Sequence, residues 1–192
     1  MSDLFFIIIG TVFINNLIVD EIVGTDPALA LIRRHDVAWG LSITMLILLP
    51  SVTLVTYLVE LYLLEPMALA HFRLLVFTGL ILAIMPGLNK CLAFFDSRMA
   101  EQPVIFLPLV GINTAVLGTA LLNQQVSNSL ARSIAFGLGA AIGFGLIMVI
   151  ITAISERISM ADVPGPFRGS PVILITLGII SISFMGFTGI IK

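Results

Sequence analysis

The chain has 192 residues, 59% of them hydrophobic and 10% charged, with a formal net charge of −2 and a mean hydropathy of +1.17. Soluble domains carry roughly a quarter charged residues, so a soluble enzyme is excluded and a polytopic membrane protein is indicated. The nine basic residues form no patch, which sets nucleic acid aside. The single cysteine, Cys91, excludes an intramolecular disulfide or a multi-thiolate metal site built from this chain alone.

A bilayer core takes roughly 20 apolar residues per helix, and apolar segments fall near 4–24, 38–64, 72–95, 103–123, 131–154 and 171–191. The predicted fold class is an all-α integral membrane protein with six transmembrane helices. Met1-Ser2-Asp3-Leu4 lacks the positive start of a signal peptide and no small-residue cleavage site follows, so the first span is expected to be retained. The connecting loops, the longest near 155–170, are too short to fold as a catalytic domain.

Polar residues interrupt the first span at Asn15 and Asn16 and again at Asp20, Glu21 and Asp26-Pro27. The fourth is interrupted at Asn113-Thr114. The runs that follow are alike: Thr25-Asp26-Pro27-Ala28-Leu29-Ala30 and Asn113-Thr114-Ala115-Val116-Leu117-Gly118. Hydrocarbon offers a loose peptide group no partner, so such breaks survive only where protein buries them or they line a site. Broken helices in spans one and four are therefore expected, and matching breaks point to a site at mid-depth.

Asp20 and Glu21 end the apolar run in the headgroup zone or face an ion path, because a carboxylate at a helix centre costs about 2.5–3.5 kcal/mol. Asp26, inside the repeated break, is the candidate ligand for an ion or proton, partly neutral if burial raises its pKa. The amides of Asn15, Asn16 and Asn113 either satisfy backbone groups freed by a broken helix or, with Thr114, lend oxygens to a passing sodium ion.

In span two, Trp39 and Tyr62 are 23 residues apart, about 35 Å of helix, as suits two interfacial anchors. Pro50 and Pro86 should kink their helices, and Pro86-Gly87 is a candidate end for a half-helix. In span five, Gly139-x-x-x-Gly143 and Ala141-x-x-x-Gly145 are read as small-residue helix packing rather than a dinucleotide fingerprint, since no strand precedes them. Pro164-Gly165-Pro166 predicts a stiff, extended inner loop. Cys91 is read as a packed thiol, and His35 and His71 as solvated.

Six spans split into three plus three, and an odd number of crossings inverts the second unit, giving half-repeats 1–97 and 98–192. Glu60 and Glu156, acidic ends of spans two and five, support the relation. Arg33, Arg34, Lys90, Arg98, Arg157 and Arg168 fall on one side, against Arg73, Arg132 and Lys192 on the other, so both termini are expected outside.

Phe106-Leu107-Pro108-Leu109, Asn113-x-Ala115-Val116-Leu117-Gly118-x-Ala120-Leu121-Leu122-Asn123, Ala161-Asp162-Val163-Pro164-x-Pro166-Phe167-Arg168-Gly169 and Phe184-Met185-Gly186-Phe187 resemble the RnfA/NqrE family over its full length. Gly10-Thr11-Val12 with Asn15-Asn16 supports this at the amino end. These are membrane subunits of Rnf (ferredoxin:NAD oxidoreductase) and Nqr (sodium-pumping NADH:quinone oxidoreductase) complexes. The resemblance implies a six-helix inverted repeat paired with an RnfE/NqrD-type homologue. It also implies flavin and iron–sulfur centres on other subunits, Na+ or H+ as coupling ion, and the bacterial or archaeal inner membrane. Each member of such a pair offers two cysteines to one 2Fe-2S cluster. Here those positions are Asp26 and Thr114, neither a thiolate, so the cluster is expected to be absent or altered. No flavin or nicotinamide is expected on this chain. A stand-alone secondary transporter and a structural anchor for redox subunits are the alternatives; low polarity in spans two, three, five and six favours a subunit over a transporter.

Overall fold

The computed structural model describes residues 2–14, 16, 35–95, 113–126 and 129–187. Among them the regular elements are all helical: α1 (Ser2–Phe13), α2 (His35–Val59), α3 (Arg73–Phe95), α4 (Thr114–Val126), α5 (Leu130–Ser159) and α6 (Ser170–Met185). Ala38–Leu64, Ala70–Leu88 and Leu130–Ser159 are long and apolar enough to cross a bilayer, and α1 and α6 supply shorter apolar helices. Residues 17–34 and 96–112, on which the count of six spans and the two breaks partly rest, lie outside the described residues. So do Asn15, Asp20, Glu21 and Asp26.

The centre of the bundle is α5, which packs most extensively on α2 and then on α1. Helices in lipid gain little from hiding apolar surface, since the tails are equally apolar, so close backbone approach has to supply the contact. Glycines on two faces of α5 provide it. A methyl carbon added at Gly139 would lie 2.8 Å from Thr11 Cβ and 3.0 Å from the Ile8 carbonyl oxygen, and one at Gly143 would lie 3.3 Å from Val12 Cα, so both glycines seat α1. Gly145 faces Ser42 of α2 at an ordinary 3.5 Å. The tightest approach on the α2 side is at Gly137, outside both small-residue pairs: an added methyl would sit 2.8 Å from Pro50 Cα and 3.0 Å from the Leu49 carbonyl oxygen.

Pro50 and Pro86 both lie inside uninterrupted helices. The half-helix end suggested at Pro86-Gly87 is therefore corrected: α3 continues through it to Phe95. A proline deletes one backbone donor, and a neighbouring turn can carry the helix past that loss in a membrane. The loop at Pro164 is also corrected in part. Pro164 is extended (φ −54°, ψ 140°), but Gly165–Phe167 close a 3-10 turn rather than continuing extended. Gly169 then takes φ +86°, a left-handed conformation that favours glycine, and turns the chain into α6, whose early Pro171 is tolerated where no intrahelical donor is needed.

α2 widens into a π-turn over Glu60–Leu64 before a short 3-10 turn, Ala70–Phe72, leads into α3. Trp39 and Tyr62, at the two ends of this stretch, are exposed at 57% and 74%, as interfacial anchors would be. α6 keeps only Ile173, Leu177 and Ile180 buried. Its end meets α1 through rings: Phe13 stacks on Phe184 at 6.4 Å and tilts against Phe187 at 5.9 Å.

Candidate functional site: two capped helix ends and a buried polar node

α1 stops at Phe13, part-way through the first apolar segment. A helix end leaves carbonyls without intrahelical donors. Asn16, 2% exposed, meets one of them, donating through Nδ2 to the Val12 carbonyl at 2.8 Å. Gly143 of α5 makes room for this, because a methyl there would lie 2.8 Å from that same Nδ2. The glycine that seats α1 thus also accommodates the amide at its end.

α4 begins at Thr114, part-way through the fourth apolar segment. There the orphan groups are donors. The Asn113 Oδ1 accepts the Ala115 N–H at 2.9 Å, and the Asn113 carbonyl accepts Val116 N–H at 3.0 Å, so Asn113 acts as the N-cap. Asn113 is 3% exposed, and among the described residues its Nδ2 has no hydrogen-bond partner. Thr114, the next residue, is exposed.

Further along α4 is a polar node that the sequence patterns do not single out. Asn123 donates to Ser133 Oγ of α5 at 2.7 Å and to the Thr53 carbonyl of α2 at 3.3 Å. Ser133 Oγ in turn donates to the same carbonyl at 2.9 Å. All three residues are fully buried. Their separations of 70 and 80 positions hide the node from any local pattern. Replacing Asn123 by Leu removes both donors at once and is expected to cost about 1–2 kcal/mol. Thermal unfolding in detergent measures it, and a loss no greater than that of a surface substitution such as Gln125→Leu would show the node to be dispensable.

Glu60, read from the sequence as a simple acidic helix end, is instead 3% exposed. Arg73 of α3 donates through Nε to both its carboxylate oxygens, at 3.1 and 3.0 Å, and through Nη2 to Oε1. Glu156, its counterpart in the sequence argument for a repeat, is exposed. The two positions therefore differ in environment. His71 is exposed.

The family described as Rnf-Nqr subunit, membrane protein, matches residues 4–191. The chain belongs to this family. Among its relatives is a protein of Actinobacillus pleuropneumoniae serotype 5b named as a subunit of the ion-translocating oxidoreductase complex, 39% identical with all of both chains covered. The proteins of the same name from Vibrio vulnificus and Pseudoalteromonas translucida are 37% and 36% identical, again over all of both chains. The resemblance drawn from the Asn113 and Asp162 motifs is therefore to the right family. Thr114, expected from the resemblance at a cluster-ligand position, carries a hydroxyl, which is a poor ligand for an iron–sulfur cluster, beside an amide whose unpartnered atom is a donor. Among the described residues, no group of three or more His, Cys, Asp and Glu gathers in metal-binding range.

Proposed function

We propose that this chain is an integral subunit of a Rnf- or Nqr-type complex that couples redox chemistry to ion movement. In this reading it is a six-span, 3+3 inverted repeat with both termini outside the cytoplasmic membrane, paired with an RnfE/NqrD-type homologue. The observation that carries it is the end-to-end match to relatives named as subunits of an ion-translocating oxidoreductase complex. Supporting it, Asn123 of α4 and Ser133 of α5 both donate to the Thr53 carbonyl of α2 in a buried node, so these polar groups tie the helices together rather than face a transport path. Large apolar side chains on α3 and α6, such as Leu75 at 72% and Ile182 at 71% exposure, face outward to lipid or to neighbouring subunits.

The usual 2Fe-2S cluster is absent or altered in this reading, because Asp26 and Thr114 stand at the two cysteine positions. No electron step is assigned to this chain's residues. Asp26 serves instead as the group that meets a cation or proton, while Asn16 and Asn113 hold the helix ends. Asn15, Asp20 and Glu21 are assigned in this reading to the ion path or to support of the helix break.

Purification tests the assembly: the chain should come out with a homologous membrane protein and with flavin-bearing subunits. A chain isolated alone and active in vesicle transport would defeat the proposal. Iron analysis and electron paramagnetic resonance of the complex should give no 2Fe-2S signal assigned to this pair, and such a signal would overturn the cluster prediction. Asp26→Ala should abolish redox-driven ion uptake in vesicles; unchanged coupling would leave the chain a structural anchor.

A further inference from the structure

We propose that the amino-terminal end of α4 binds a small monovalent anion, with chloride as the defining probe, and that Asn113 Nδ2 is the side-chain donor to it. A buried amide that leaves its NH2 unpaired is costly, and native structures nearly always supply a partner from protein, water or an ion. Here the amide orientation is settled by chemistry. The Ala115 N–H can be met only by an acceptor, so Oδ1 faces it at 2.9 Å and Nδ2 is the atom left over. The donor therefore stands beside the start of a 13-residue helix, where the aligned peptide dipoles place roughly half a positive charge. Helix starts of this kind favour anions. Burial at 3% exposure lowers the local dielectric and strengthens both contributions.

The same geometry argues against a cation at this end. The Asn113 side-chain oxygen is committed to the cap, and both the free NH2 and the helix dipole repel positive charge. At the end of α1 the polarity is reversed, since helix carbonyls lie there and Asn16 spends its NH2 on one of them. The cation path proposed at Asp26 is tested separately by the uptake assay above.

The test exchanges chloride for gluconate at constant sodium and ionic strength, using the chain purified with its associated subunits, and follows thermal unfolding. The midpoint should fall by several degrees without chloride and recover with bromide. Asn113→Ser keeps an oxygen for the Ala115 N–H but lacks the NH2, and Asn113→Asp replaces the donor by an acceptor; both should lose the halide dependence. Bromide-soaked crystals of the unaltered protein should show an anomalous peak within hydrogen-bond distance of Nδ2, a readout that needs no variant to fold. No halide dependence together with no bromide peak would overturn the proposal and assign the donor to water or a neighbouring polypeptide. Halide dependence that survives both substitutions would overturn it equally, placing the ion elsewhere.

Discussion

Replacing Arg73 by Ala is expected to destabilise the protein by about 3 kcal/mol, because it strands a buried carboxylate without its counter-charge. The Glu60 side chain is 4% exposed and the Arg73 side chain 36%, so the acid bears nearly all of the desolvation while the guanidinium keeps a wet edge. This asymmetry puts the expected loss at the lower end of the range for buried pairs. It also separates the two single variants: Glu60→Gln leaves a neutral amide in the buried position and a guanidinium that water can still reach, so it should cost less than Arg73→Ala. The double variant Glu60→Met with Arg73→Met removes both charges and should recover most of the loss, since apolar replacements of similar size often match a buried pair. Unfolding of the three variants in detergent measures this. A loss below about 1 kcal/mol for Arg73→Ala, the level of a surface ion pair, would show Glu60 to be solvated and the π-turn to stand without it.

At Gly137 a single methyl group is expected to cost about 3 kcal/mol, the upper part of the range for overpacking. The added carbon meets the Pro50 and Leu49 backbone at 2.8 and 3.0 Å, and backbone cannot swing aside as a side-chain tip can. Pro50 makes the obstruction firmer because its ring fixes the local φ. Gly137→Ala should therefore push α5 from α2 and strain the node of Thr53, Asn123 and Ser133, since the added carbon also meets the Thr53 hydroxyl. Gly178→Ala is the matched control. Among the described residues nothing lies within 4 Å of a methyl there, and alanine is the better helix former by up to about 1 kcal/mol, so that variant should be neutral or slightly stabilised. Equal losses in the two would mean that the α2 contact is not close enough to matter.

The membrane class and four apolar helices were legible because hydropathy is a local property. Spans expected at 38–64, 72–95, 131–154 and 171–191 correspond to α2 with its π-turn, α3, α5 and α6. Gly139 and Gly143 were legible for the same reason: their spacing puts them on one helix face, and α1 lies against it. Gly137 was passed over because its meaning lies in Pro50, 87 positions earlier, and no spacing rule connects the two. Glu60 was visible as an acidic helix end, but its role depends on Arg73, 13 residues on across a turn. Asn123 stood out only as part of a family motif, although its donors meet partners 10 and 70 positions away. Pro86 misled because sequence gives the cost of a proline but not the neighbours that absorb it. Of the residues proposed for the site, Asn16, Asn113 and Thr114 are placed at helix ends, while Asn15, Asp20, Glu21 and Asp26 lie outside the described residues.

The position of α5 at the centre bears on how the chain is made. Thr11 and Gly139, which touch, are 128 residues apart, and so the ribosome has emitted most of the polypeptide before the first helix meets its partner. Until then α1 has to be held by lipid or by the insertion machinery with its Asn16 end unmet by Gly143. Nascent chains that stop short of residue 130 lack the element on which α1 and α2 both pack, and the cell's membrane proteases should clear them as unassembled intermediates.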